Sequence, residues 1–129
     1  MKHLVLPFPV SVNQYYRSIA RGKICQSILS AKGREYAESV LAAIGKHEPY
    51  TGRLAVEIIL CAPDRRRRDL DNYLKSLLDA LTKAQVWLDD SQIDLLTVSR
   101  GIIDNKCLVS IKEIESNAET HASQHQIDS

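Results

Sequence analysis

The sequence predicts an α+β fold, a single compact domain in which a mixed β-sheet of about four to five strands packs against two main helices. Two segments repeat apolar residues at three- and four-residue intervals, which is the period of an amphipathic helix. Shorter runs rich in β-branched residues lie before, between and after them, as is typical of strands. A chain of 129 residues is long enough for one ordinary core. We assign this domain to residues 1–114 and predict that the polar segment 115–129 is disordered.

The N-terminal third predicts two strands and a helix. An apolar run over residues 3–8 predicts the first strand, residues 10–21 show no periodicity and indicate irregular structure, and residues 23–29 predict a second short strand. Ser30 is a typical N-cap, and the helix that it begins should end near Ile44, before a glycine.

The middle of the chain predicts a buried strand followed by a second helix. Residues 53–61 are apolar on both faces, which is typical of a central strand. A helix is predicted over about residues 70–84, with Asp69 as its N-cap. Its apolar positions follow the helical period: Leu70, Tyr73, Leu74, Leu77, Leu78 and Leu81.

The C-terminal part predicts two further strands, over residues 93–103 and 107–114. The polar residues 104–106 between them indicate a hairpin turn. Trp87, just after the second helix, is interpreted either as a core residue or as an anchor in an interface between subunits.

The composition is that of an ordinary cytoplasmic protein. Cys61 and Cys107 lie in apolar runs and are interpreted as buried thiols, without the spacing of a disulfide framework or a zinc site. We see no signal peptide and no apolar stretch of roughly 18 residues, so we expect no membrane association.

Charge is distributed unevenly along the chain. The net charge is only +1, but residues 1–68 hold 12 basic and 5 acidic residues, whereas residues 69–129 hold 5 and 11. A basic face of this kind can bind a polyanion even when the whole chain is nearly neutral.

The sign of the charge changes inside the segment 63–72, which reads PDRRRRDLDN. Guanidinium groups donate paired hydrogen bonds to phosphate oxygens, so these arginines are candidate DNA-binding residues: Arg65, Arg66, Arg67 and Arg68. The carboxylates of Asp69 and Asp71 suit a hard cation such as Mg²⁺. One short segment thus carries both a phosphate-binding element and a metal-binding element.

Two further residues could complete a phosphodiester-cleaving site. Asp90, after the helix, is a third candidate metal ligand, and Lys75 lies one turn beyond Asp71. Lys75 could orient a phosphate, stabilise its charge or protonate a leaving oxygen, and the sequence does not choose among these roles. Arg17, beside two tyrosines, could also contact DNA.

Each of these residues also has a structural interpretation. Asp69 could be only a helix cap, Lys75 could be only the i+4 salt-bridge partner of Asp71, and the arginine run could be a solvated loop or a targeting signal. We favour the functional interpretation because the acids, the lysine and the arginines could all converge at one end of the second helix.

Taken together, these motifs resemble the RusA-type Holliday-junction resolvases, a family often carried by phages and prophages. The resemblance covers most of residues 4–114 and is strongest over residues 63–93. It rests on residues 6–9, 15–17, 63–72, 79–84 and 87–90, together with Asn13 and Lys75. Val10 and Gln85 depart from the family pattern, where a proline and a glycine are common.

The resemblance implies a homodimeric, Mg²⁺-dependent endonuclease that makes paired nicks in four-way DNA junctions during recombination and repair. It implies catalytic, metal-binding carboxylates at Asp69, Asp71 and Asp90 and an essential lysine at Lys75. Two alternatives remain: a non-catalytic protein that binds DNA junctions with the same fold, and a module whose arginine run docks an acidic protein.

Overall fold

The computed structural model describes residues 1–115, so the predicted disorder of the tail falls almost entirely outside the described residues. The elements in chain order are β1 (Lys2–Pro7), α1 (Val12–Tyr15), β2 (Tyr16–Arg21), β3 (Ile24–Leu29), α2 (Ala31–Ile44), β4 (Leu54–Cys61), α3 (Asp71–Lys83), a 3-10 helix (Asp90–Gln92), β5 (Ile93–Arg100) and β6 (Lys106–Glu113). This content confirms the predicted fold class of two main helices and a mixed sheet. None of the described helices combines the length and the apolar character needed to cross a bilayer.

Four strands form the main sheet in the order β1-β6-β4-β5. Strand β4 is central, as predicted, and pairs parallel with β5 and antiparallel with β6. Strand β1 pairs antiparallel with β6 at one edge. Because β4 and β5 are parallel, their carboxyl ends lie at the same edge of the sheet, where β1 also ends.

The predicted hairpin at residues 104–106 is wrong. Strands β5 and β6 are not neighbours, because β4 lies between them, and the connection crosses the end of β4 instead. The backbone amides of Asp104 and Asn105 both donate to the carbonyl of Ala62, at 3.0 and 3.1 Å. The polar residues 104–106 therefore predicted the position of the turn correctly, but they did not predict that the two strands it joins are separated by β4.

The irregular structure predicted for residues 10–21 is also wrong, because most of the segment forms the short helix α1 and strand β2. Strand β2 pairs antiparallel with β3 in a separate two-stranded sheet, with a turn at Gly22. No residue of β2 is fully buried, so its sequence lacks the apolar alternation that marks a half-buried strand.

The core lies between the main sheet and the two long helices. Helix α2 packs against α3 and β1, and α3 buries Leu77 and Leu81 completely. Trp87 is also fully buried, and its indole Nε1 donates to Thr82 Oγ1 at 2.6 Å. Trp87 is therefore a core residue and not an interface anchor, and the two cysteines predicted to be buried thiols are buried as well.

A close contact fixes the start of α2 against the N-terminal segment. The Ser30 side chain caps the helix by accepting from the Gly33 amide at 2.9 Å, as predicted, and the Ser30 amide donates to the carbonyl of Tyr15. A Cβ at Gly33 would lie 2.1 Å from that same carbonyl oxygen. Any side chain at residue 33 would therefore push α2 away from Tyr15.

We expect Gly33→Ala to destabilise the protein by about 1–3 kcal/mol, because backbone on both sides of the contact must shift. Urea unfolding measures the change as a lower midpoint. Gly52→Ala is the matched control, since a Cβ there meets nothing within 4 Å, and its effect should stay within about 0.5 kcal/mol. Equal midpoints for the two variants would contradict the packing of α2 described here.

Candidate active site

The four arginines lie in the connection from β4 to α3, and Asp64 organises this loop. Its carboxylate accepts from the Arg66 backbone amide at 3.0 Å, from the Arg66 guanidinium at 3.0 Å and from Arg68 Nη1 at 2.7 Å. The Arg68 side chain, the Arg66 amide and the Arg66 side chain together hold the pKa of Asp64 well below its usual range. The segment is therefore a folded, internally bonded turn.

The arginines divide into one that builds the loop and three that face solvent. The Arg68 side chain is only 15% exposed, lies over the Phe8 ring at 5.8 Å, and also donates to the Asp64 carbonyl at 3.1 Å. Arg65, Arg66 and Arg67 are exposed. The loop thus exposes three guanidinium groups, and the hydrogen bonds of Arg68 to Asp64 hold its backbone in place.

A cavity of about 370 Å³ lies between the arginine loop and the residues that follow β5. Its apolar walls include Phe8 and Tyr73, whose ring centroids are 5.1 Å apart, and its rim includes Arg100. Arg100 donates to the backbone carbonyl of Arg68, which joins the two sides of the cavity. Asp69 also lines this cavity, so one of the predicted metal ligands lies directly beside the arginines.

Asp69 does not cap α3, contrary to the sequence prediction. The residue at the cap position is Leu70, which has helical backbone angles, and no side chain caps the helix there. The Asp69 carbonyl accepts from the Asn72 amide at 3.2 Å, so the backbone and not the carboxylate begins the helix. Asp71 is the acid in the first helical turn.

Lys75 is paired with Asp79 and not with Asp71. Its ammonium lies 3.3 Å from the Asp79 carboxylate and 5.2 Å from the centroid of the Tyr16 ring. Tyr16 belongs to β2, and its neighbour Arg17 is exposed. The lysine is thus held between an acid one turn further along its own helix and an aromatic ring from another element.

Asp90 begins the 3-10 helix, whose position is fixed by Gln92. The Gln92 side chain is buried, accepts from the amides of Leu88 and Asp89 at 2.8 and 2.9 Å, and donates to the carbonyls of Tyr50 and Gly52. This helix packs against α3. Burial and then the negative charge of Asp90 raise the pKa of Asp79.

Asp69 and Asp71 lie at the start of α3, Lys75 lies one turn further along, and Asp90 begins the 3-10 helix that packs against α3. The convergence of these residues at one end of the helix stays a prediction. Asp71, Lys75 and Asp79 follow one another along α3 at four-residue steps of about 6 Å each. Within residues 1–115, no three His, Cys, Asp or Glu side chains form a group that could hold a metal. Asp69 lines the cavity beside the arginines, and the negative charge of Asp90 contributes to the raised pKa of Asp79.

Sequence reasoning missed several residues that shape this site. The four-residue spacing of Asp71, Lys75 and Asp79 indicated that these side chains can meet, but Asp79 was not assigned to the site. Asp64 is adjacent to the arginine run, but the sequence does not show that its carboxylate orders the loop. Phe8, Tyr73 and Arg100 had no local signal, because they reach the cavity from three separate elements.

The lowered pKa of Asp64 predicts a pH-dependent stabilisation of the arginine loop. An acid with a depressed folded pKa stabilises the folded state above its unfolded pKa of about 3.9 and loses that contribution as pH falls below it. Asp64→Ala should therefore lower the thermal unfolding midpoint at pH 7, and the difference from wild type should shrink as pH falls toward 3. A difference that stays constant from pH 7 to pH 3 would mean that the Asp64 carboxylate does not organise the loop.

Comparisons with known proteins agree on one family. The family model described as Endodeoxyribonuclease RusA matches residues 7–121. A protein of Enterobacteria phage HK97 named crossover junction endodeoxyribonuclease rusA is 42% identical over 117 residues, covering 87% of this chain and 94% of that protein.

Two further relatives carry the same name. The protein of Enterobacteria phage 82 is 47% identical over 95 residues, covering 70% of this chain and 75% of that protein. The protein of Escherichia coli strain K12 is 47% identical over 94 residues, covering 70% and 74%. The chain belongs to the RusA family of endodeoxyribonucleases.

Proposed function

We propose that this protein is a metal-dependent endonuclease that resolves four-way DNA junctions by paired, symmetric nicks. The observation that carries the proposal is the direct continuation of an ordered arginine loop into a helix that bears Asp71 and Lys75 on one face. The relatives named crossover junction endodeoxyribonuclease support it, because one of them is matched over 94% of its own length.

The donor set near the arginine loop suits a hard divalent cation, and we propose Mg²⁺. Nuclease families of this kind are generally metal-dependent. Mg²⁺ commonly takes one or two carboxylates and completes its coordination with water and substrate phosphate. Asp69 in the cavity and Asp71 in the first turn of α3 supply such carboxylates next to guanidinium groups that would hold the phosphate. When bound, the metal polarises the phosphate and activates water for attack.

The side chains around the metal have separate tasks in this proposal. Arg65, Arg66 and Arg67 bind backbone phosphates, and Arg68 acts through the loop that it orders. Lys75 stabilises negative charge on the scissile phosphate. The nearby Asp79 carboxylate and the Tyr16 ring restrict where its ammonium points.

We also propose a homodimer, because a four-way junction has near two-fold symmetry and needs two cuts. The apolar N-terminal segment is available for contact, since Val5 on edge strand β1 is 63% exposed. Asp90 belongs to a different element from Asp71, the 3-10 helix, and a dimer could bring the two acids to one metal. We propose that Asp90 of one copy serves the metal held by Asp69 and Asp71 of the other.

We predict that Asp71→Asn keeps junction binding and loses cleavage by about a hundredfold or more, because a neutral amide binds the metal weakly. A labelled synthetic junction, incubated with Mg²⁺ or with EDTA, gives the cleavage rate, and a gel shift gives the affinity. Unchanged cleavage by this variant would remove Asp71 from the site. Tight binding without Mg²⁺-dependent nicks by wild type would favour a non-catalytic junction-binding protein.

We predict that Arg65→Ala with Arg67→Ala weakens junction binding and makes it less dependent on salt. For every DNA phosphate that the protein no longer neutralises, the slope of log K against log salt should become shallower by about 0.9. The control is Lys46→Ala, an exposed cation beyond the opposite end of α3, beside Lys83. If the double variant and the control have the same slope, the arginines of this loop do not bind phosphate.

A further inference from the structure

The loop between β5 and β6, residues 101–105, holds two isoleucines out of the core. Ile102 is 76% exposed and Ile103 is 47% exposed. The loop is fixed at both ends, because the Gly101 amide donates to the Leu60 carbonyl at 2.9 Å and the amides of residues 104 and 105 donate to Ala62. Ile102 therefore projects from a loop whose two ends are fixed.

The base of this loop has no room to move inward. A Cβ at Gly101 would lie 2.7 Å from Cys61 Sγ and 2.8 Å from Ile59 Cγ2, so the backbone presses directly on β4. The exposed position of Ile102 thus follows from the packing beneath it.

The surroundings of Ile102 favour a polyanion with apolar parts. A single exposed isoleucine is ordinary, but this one lies beside the arginine-rimmed cavity, whose wall includes Ile103. The exposed guanidinium groups of Arg65 and Arg67 have no partner within the described part of the chain. Cations beside aromatic walls match a nucleotide, which combines a charged phosphate with a base that has apolar faces.

The size of the cavity also fits this ligand. Its volume of about 370 Å³ is within the range of about 300–1,000 Å³ that is usual for small-molecule pockets. Phe8 and Tyr73 offer ring surfaces for stacking, and Asp69 lies in the same wall. A base inside the cavity would bring its own phosphate next to a carboxylate that we propose binds the metal.

We propose that the cavity receives a base unstacked at the branch of the junction, and that Ile102 occupies the space that this base leaves. Apolar side chains inserted between base steps are a known means of distorting DNA, and unstacking is easiest where stacking is already interrupted, as at a branch. This inference rests on the proposed function and adds to it a specific nucleotide subsite. It gives the residues 101–105 a role in substrate selection.

The test uses four-way junctions in which 2-aminopurine replaces one base at a time on each side of the branch. The protein carries Asp71→Asn, so that the junction is bound without being cut. We expect fluorescence to rise several-fold at one or two positions, because an unstacked 2-aminopurine is no longer quenched by its neighbours. Adding Ile102→Ser should abolish most of that rise and weaken junction binding several-fold, because a small polar side chain does not fill the gap in the base stack.

Leu41→Ala in the same background is the control, since this exposed leucine lies beyond the opposite end of α3 and should leave both signals unchanged. Absence of a rise at every position, or an equal rise with Ile102→Ser, would overturn the inference. Wild type that neither binds nor cuts junctions would instead overturn the proposed function. Wild type that cuts junctions without any change in fluorescence of the bound complex would overturn only the nucleotide subsite.

Discussion

The ion pairs of Asp64 are the interaction on which the site depends. Four consecutive arginines repel one another, and a carboxylate that accepts from two of them allows the loop to keep one conformation. Arg68, fixed in this way, lies against Phe8, and its backbone carbonyl accepts a hydrogen bond from the Arg100 side chain. Removing Asp64 would thus release the loop and both walls of the cavity, although Asp64 is not proposed to touch the metal or the reacting phosphate.

Helix α3 sets the spacing of the charged groups. Its apolar face is anchored in the core by Leu77 and Leu81, so its polar face cannot rotate. On that face Lys75 lies between acids one turn before and one turn after, and it pairs with the later one. The buried half of the helix therefore determines where the proposed chemistry takes place.

The sequence was sufficient to predict those features that depend on residues close together in the chain. The period of α3, the cap at Ser30 and the apolar faces of β4 all follow from neighbouring residues, and each prediction was confirmed. The errors concerned partners distant in sequence. The turn at residues 104–106 could not reveal that β4 lies between its two strands, and Lys75 had two acids at equal spacing. Strand β2 was missed because neither of its faces is buried.

The parallel pairing of β4 and β5 determines which loops of this protein can accept substitutions. The arginine loop leaves the carboxyl end of β4, and residues 101–105 leave the carboxyl end of β5, so both extend from one edge of the sheet. Ligands of mixed and parallel sheets commonly bind outside that edge. Residues that build the core lie below it, so exposed positions of these two loops, such as Arg67 and Ile102, can accept new side chains and change the surface at this edge while the sheet and helices keep their stability.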